Sequence, residues 1–335
     1  MISAFSYAFN AIAPILLLAV MGYTLKKRHL VSEEFFRKMN SFVFHYSFPF
    51  LMFENLYNVD GIKDLDFRLA AFLVGSIGLL TILGIIIANH ITDRNNRKGV
   101  IIQAGFRSNF ALIGLPLAEG LAGQEGLLVT SSLQAPIVIY YNFFSVLFLA
   151  IYSEDAAFSV RKVIKNILRN PLIQGLSAGI AALLIREVIP VSADGQLVFS
   201  IKNNLPWVYK TISYLARVAT PIALVSLGGQ FEFSHASGMK KELVTSVFMR
   251  LILAPAIGFS LAAIAVRAGF ISFTPASVSA MVACFGSPLA VSAVPMAAEM
   301  GADSDLAGQI VLWTSLLSMF TIFAITVLFR TIGIL

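Results

Sequence analysis

Arg107, Ser108 and Asn109 stand in an otherwise apolar stretch that ends on Gly114 and Pro116. A second such stretch carries Ser287 between Gly286 and Pro288 and runs on to Pro295. A guanidinium offers two parallel N–H donors that match a carboxylate. The Asn109 amide and the two serine hydroxyls add neutral hydrogen-bonding groups. Gln134 lies seven residues before Tyr141, so the two share one face of a helix. This set suits the capture of a small anion. Enzyme chemistry has little to draw on. The four histidines (His29, His45, His90, His235) are scattered, and no metalloprotease, phosphate-loop or serine-hydrolase motif is present. The chain is therefore read as no enzyme, with no cofactor and no metal. The one cysteine, Cys284, excludes an intrachain disulfide and a cysteine-based metal site.

The elements that must carry these residues are membrane helices. Of 335 residues, 58% are apolar and 13% are charged, and the mean hydropathy is +0.83. A soluble domain carries about 25% charged residues, and one core of this size could not hide so much apolar surface. A bilayer span needs about 20 apolar residues. Ten are expected, at about 5–25, 35–57, 67–90, 100–120, 127–151, 171–189, 207–229, 243–266, 275–297 and 306–329. The connections are too short for a further domain. The first span has its basic residues after it, the wrong order for a cleaved signal peptide, so it is expected to be retained. The net charge of +6 fits basic loops on one membrane face and needs no nucleic acid as partner. Fourteen Lys and Arg fall in odd-numbered connections and seven on the opposite side. That bias puts the odd connections in the cytoplasm and both termini outside.

The chain also reads as a repeat. At an offset of 179, Phe106, Ser108, Ala111, Pro116 and Ala118 match Phe285, Ser287, Ala290, Pro295 and Ala297. These segments are the fourth span and the ninth. Ser47-Phe-Pro49 and Ala219-Thr-Pro221 pair the second with the seventh, and Thr130-Ser131 and Thr314-Ser315 pair the fifth with the tenth. The expected organisation is a first repeat over 1–152, a cytoplasmic linker over 153–170 and a second repeat over 171–335. Five spans is an odd number, so the second repeat is inverted. Gly114, Pro116, Gly286, Pro288 and Pro295 then break spans four and nine near mid-membrane. Interrupted spans in corresponding positions of two inverted halves mark a carrier's binding site. Pro116 and Pro295 are expected at first helical positions, with helix N-termini at the centre attracting anions.

Other polar residues read as ordinary. Arg217 and Arg250 are expected to snorkel to the membrane surface, Glu54 and Glu119 to be interfacial, and Gly175 with Gly179 to form a packing ridge. No acidic pair lies deep in the spans, against a carboxylate-type sodium or proton site.

The stretch from Arg107 to Leu117 resembles the broken helix of the auxin efflux carrier family, which includes bacterial malonate and malate permease-like members. Gly286-Ser-Pro-Leu through Pro295 looks like its partner, and Leu133-Gln134 with the tyrosines after it is similar to the family's fifth span. The resemblance implies an all-α membrane protein of ten helices in a 5+5 inverted repeat, with helices four and nine broken and crossing. It implies alternating-access transport of small mono- or dicarboxylates, with a scaffold of spans one, two, six and seven and a moving unit of the others. It also implies a homodimer in the plasma membrane. The short central connection favours the bacterial branch over auxin itself. Carried over as substrate-binding are Asn109 and Gln134, joined by Arg107, Ser108 and Ser287 from the residue chemistry. A sodium-coupled symporter of the bile-acid type, and a sensor or enzyme on a carrier fold, are the rival readings.

Overall fold

The computed structural model describes residues 2–58, 66–152, 164–165, 168–190, 198–231 and 238–335. Lys63, Arg161, Lys162, His235 and most of the expected linker lie outside them. The described residues contain helix and no strand. In chain order the helices are α1 (Ile2–Lys27), α2 (Glu33–Phe42), α3 (Phe48–Tyr57), α4 (Phe67–Ile91), α5 (Asn95–Phe106), α6 (Leu115–Ser132), α7 (Gln134–Ile151) and α8 (Pro171–Val188). There follow the short α9 (Ile201–Asn204), then α10 (Pro206–Gln230), α11 (Lys240–Phe248), α12 (Ala254–Arg267), α13 (Pro275–Met281), α14 (Ala293–Glu299) and α15 (Ser304–Thr331). Among the described residues, seven helical stretches are long and apolar enough to cross a bilayer, at the places expected for spans three to eight and ten. The protein is an all-helical, multi-pass membrane protein.

Among the described residues, four wide π turns interrupt the regular helix, at Val43–Ser47, Phe110–Gly114, Met249–Leu253 and Val282–Gly286. Each ends two residues before a proline: Pro49, Pro116, Pro255 and Pro288. Proline has no N–H and its ring strikes the carbonyl four residues back. A wider turn makes room for the ring, and the N–H of the preceding residue bonds five residues back instead. Phe48 N–H reaches Val43 O, Leu115 N–H reaches Phe110 O, and Ala254 N–H reaches Met249 O in this way. The fourth case differs. Ser287 leaves the helix with ψ near 148°, the extended geometry that a following proline demands, and helix resumes at Ala293.

The expected places of two prolines need correction. The helical run after Asn109 begins at Phe110, so Pro116 lies six residues inside it and not at its first position. Pro295 is the third residue of α14. The π turn is what lets Pro116 sit so deep.

Within α6 the chain turns at Ala122 (φ −131°) and Gly123 (φ 63°, ψ −152°). That Gly123 conformation is open essentially to glycine alone. The turn brings Gly126 against the Ala118 carbonyl, where a side chain would not fit. Close backbone packing recurs elsewhere. A Cβ on Gly175 would strike the Pro49 backbone and one on Gly179 would press on Leu56, so the two glycines of α8 seat α3 as expected. Gly22 and Gly228 bring α1 equally close to α10. Thus α1, α3, α8 and α10 pack together, while α4 packs on α5 and α13 on α6.

An ionic clasp closes one end of the second group. Arg97 on α5 donates through Nε to Asp303 (2.8 Å) and through NH1 to Glu242 on α11 (2.8 Å). Asp303 also caps α15, accepting from Leu306 N–H at 2.8 Å.

Candidate functional site

α5 stops at Phe106, and Arg107 takes the C-cap position with extended backbone (φ −85°, ψ 117°). Residues 107–109 are non-helical, as are 287–290. The two irregular stretches meet directly. Asn109 N–H donates to Pro288 O at 2.8 Å. The adjoining π turns touch through Gly114, where a Cβ would stand 2.9 Å from Ala283 Cβ. Glycine is needed there for the approach. Backbone freed from helical bonding at membrane depth must be buried in protein or line a cavity. Here it does both.

A cavity of about 200 Å³ opens beside the meeting point. One wall is Arg107–Leu112, a second is Val138, Tyr141 and Asn142 on α7, a third is Ala290–Ser292. The opposite wall comes from α3, through Phe48, Leu51, Met52 and Asn55, with Thr220 of α10. The cavity therefore lies where the α3/α10 group faces the α5/α6/α7 group.

Arg107 is 2% exposed and points its guanidinium into this wall. NH2 donates to Ser292 Oγ (2.7 Å) and Asn142 Oδ1 (3.0 Å). NH1 donates to Gln103 Oε1 (3.3 Å) and approaches Met296 Sδ (3.4 Å). All four partners are neutral, and among the described residues no carboxylate pairs with the positive charge. Asn142 is itself held, its Nδ2 donating to Val138 O at 2.8 Å. Ser108 Oγ lies 3.1 Å from Tyr141 OH, which in turn lies 3.4 Å from Cys284 Sγ. Asn109 Nδ2 is buried with no protein acceptor.

Arg107, Ser108 and Asn109 thus come together on one cavity wall. Gln134 and Ser287 are buried, but neither lines the cavity. Gln134 begins α7, two turns from Tyr141. Sequence reading left Asn142 and Ser292 out of the site and noted Tyr141 only as sharing a helix face with Gln134. Their signal was present only in part: Tyr141-Asn142 is a polar pair in an apolar span, whereas Ser292 is one of several small residues and has no mark of its own. Arg250 requires a correction. It does not snorkel; it is 0% exposed and donates through NH2 to Cys284 O (3.2 Å) and Phe285 O (2.7 Å). The helix breaks in the neighbouring segment, leaving carbonyls that only a side-chain donor can reach. Arg217 is exposed on α10, Glu119 is exposed and Glu54 half-buried. Among the described residues no cluster of His, Cys, Asp or Glu could hold a metal ion.

The fold is that of a membrane protein with a charged, solvent-sized recess between two helical groups. The chain belongs to the membrane transport protein family, of auxin efflux carrier type, matching it over residues 7–326. It is 22% identical to an uncharacterized transporter of Methanothermobacter thermautotrophicus over 314 residues, covering 92% of this chain and 94% of that one. It is 26% identical to an uncharacterized transporter of Methanocaldococcus jannaschii over 257 residues, 74% of this chain and 76% of that one. The family and the names of these relatives are those of transporters, not of enzymes.

Proposed function

We propose that the protein is a secondary carrier of small organic anions, mono- or dicarboxylates, and that the substrate binds in the cavity beside Arg107. The observation that carries this reading is a buried guanidinium with only neutral partners, next to an unfilled amide donor on Asn109. A charge at membrane depth costs about 3 kcal/mol or more, and a carboxylate in the recess would offset it. Ser108, Asn109 and Ser292 orient the anion, while Gln134 and Ser287 support the wall from behind. The cavity's position between two packed groups fits alternating access. The α1/α3/α8/α10 group serves as scaffold, and the remainder moves past it.

On this reading the chain makes ten crossings in two inverted repeats, 1–152 and 171–335, and helices four and nine are broken where they meet. Both termini face outward from the cell membrane, and two copies pair through the scaffold.

The test is uptake of radiolabelled malonate and a panel of other carboxylates into proteoliposomes, with sodium exchanged for potassium. Uptake that Arg107→Ala abolishes, in a variant that still elutes as a folded protein, is the expected result. Undiminished uptake by that variant would remove Arg107 from the site. Uptake that requires sodium would establish the symporter reading. Binding without any flux would point to a sensor.

A further inference from the structure

A broken helix has a second end besides the one that attracts anions. Its last carbonyls lack intrahelical donors and together carry about half a negative charge. Two such ends lead into the non-helical stretches that meet beside the cavity: that of α5 at Phe106, and that of the Val282–Gly286 turn. Left alone, both would repel a carboxylate. A buried arginine adjoins each, but only Arg250 bonds the terminal carbonyls; the Arg107 guanidinium bonds side chains. Arg107 follows α5 directly and occupies its C-cap. Arg250 reaches across from the Met249–Leu253 turn to bond the Cys284 and Phe285 carbonyls.

We propose that Arg250 is a positioning residue that sets the sign of the potential at the substrate cavity, cancelling the carbonyl end of Val282–Gly286 and holding its peptides in place. This inference rests on the anion-carrier reading above. Three observations support it. Arg250 is completely buried, and among the described residues its Nε and NH1 have no hydrogen-bond acceptor and no ion pair is formed with it. The residue it holds is coupled to the cavity wall, since Cys284 Sγ contacts Tyr141 OH, which contacts Ser108 Oγ. Arg250 does not itself line the cavity, so it acts through the segment it binds and through its field. One nitrogen, NH2, makes both carbonyl bonds, so an arginine here differs from a lysine chiefly in staying charged when buried.

The experiment compares wild type, Arg250→Gln and Arg250→Lys in malonate uptake, with thermal unfolding of each in detergent. Arg250→Gln should raise the KM for malonate by roughly tenfold or more, the order expected when a buried, weakly screened positive charge is taken from the neighbourhood of an anion. Vmax per folded protein should fall far less. Arg250→Lys should return KM to within about threefold of wild type, because it restores the charge, while unfolding at a lower temperature than wild type because the smaller ammonium leaves the guanidinium's packing space unfilled. A merely structural arginine would lower stability in both variants and leave KM alone. Equal KM values in wild type and folded Arg250→Gln would overturn the proposal. If Arg250→Gln does not fold, the pH profile of Arg250→Lys decides: a KM that climbs with rising pH relative to wild type, as the buried lysine loses its charge, supports the electrostatic role, and a KM that tracks wild type at every pH overturns it. Wild-type protein that neither binds nor moves malonate or any other carboxylate would sink the carrier reading itself, a result distinct from any difference among the Arg250 variants.

Discussion

The contact between Gly114 and Ala283 sets the distance between the two irregular stretches, so it offers a quantitative check. A Cβ on Gly114 would lie 2.9 Å from Ala283 Cβ, 3.3 Å from Ala283 O and 3.4 Å from Ala283 Cα. Carbon atoms in ordinary contact stand about 3.5–4.0 Å apart. Gly114→Ala must therefore push the segments apart by roughly 0.6–1 Å, or strain the turns by a similar amount, at a cost of about 1–3 kcal/mol. The gain in helix propensity, up to about 1 kcal/mol, offsets part of it. Ala283→Gly removes the worst contact. The double variant Gly114→Ala/Ala283→Gly moves the methyl from one helix to the other and should relieve most of the strain. In a double-mutant cycle the propensity changes cancel, leaving a favourable coupling of about 1–3 kcal/mol. Thermal unfolding in detergent reads the ranking, and carboxylate uptake reads the geometry. A shift of 1 Å at a positioned site can cost about 100-fold in rate, so Gly114→Ala should lose far more uptake than stability. Uptake should return in the double variant. Additive losses, with the double variant worse than either single one, would refute the close approach.

Other changes test the surrounding framework. Arg97→Ala leaves Glu242 and the half-buried Asp303 without their shared cation and should destabilise by about 1–3 kcal/mol; adding Glu242→Gln and Asp303→Asn should recover much of that, as read by unfolding temperature. Gly123→Ala forces a side chain into a glycine conformation and should cost about 1–3 kcal/mol. Its control, Gly75→Ala, has open space around it and should gain up to about 1 kcal/mol in the α4 helix. Asn109→Asp puts a negative charge where the anion is proposed to sit; carboxylate binding by thermal shift should vanish while the protein itself stays folded, and retained binding would place the substrate elsewhere.

How much of this was legible depends on the range of the interaction responsible. The length of the apolar runs determined where helices lie, because in lipid every backbone group must be satisfied within its own segment. The prolines determined where helices weaken, since a missing N–H and a ring clash act within one turn. Those local effects located Arg107–Asn109 and Gly286–Pro288. They did not reveal that Pro116 would sit six residues into a helical run, because a π turn absorbs it.

The tertiary structure alone decided the partners. Membrane-facing and buried positions look alike in composition, since lipid tails are as apolar as a protein core. Nothing in the spacing therefore separated Arg217, which is exposed, from Arg250, which is fully enclosed. Ser292 and Asn142 come to Arg107 from 185 and 35 residues away, and Arg250 finds its carbonyls only because another helix stops short beside it. Local sequence specifies where a chain turns or breaks; which charge meets which orphaned group follows from packing between distant segments.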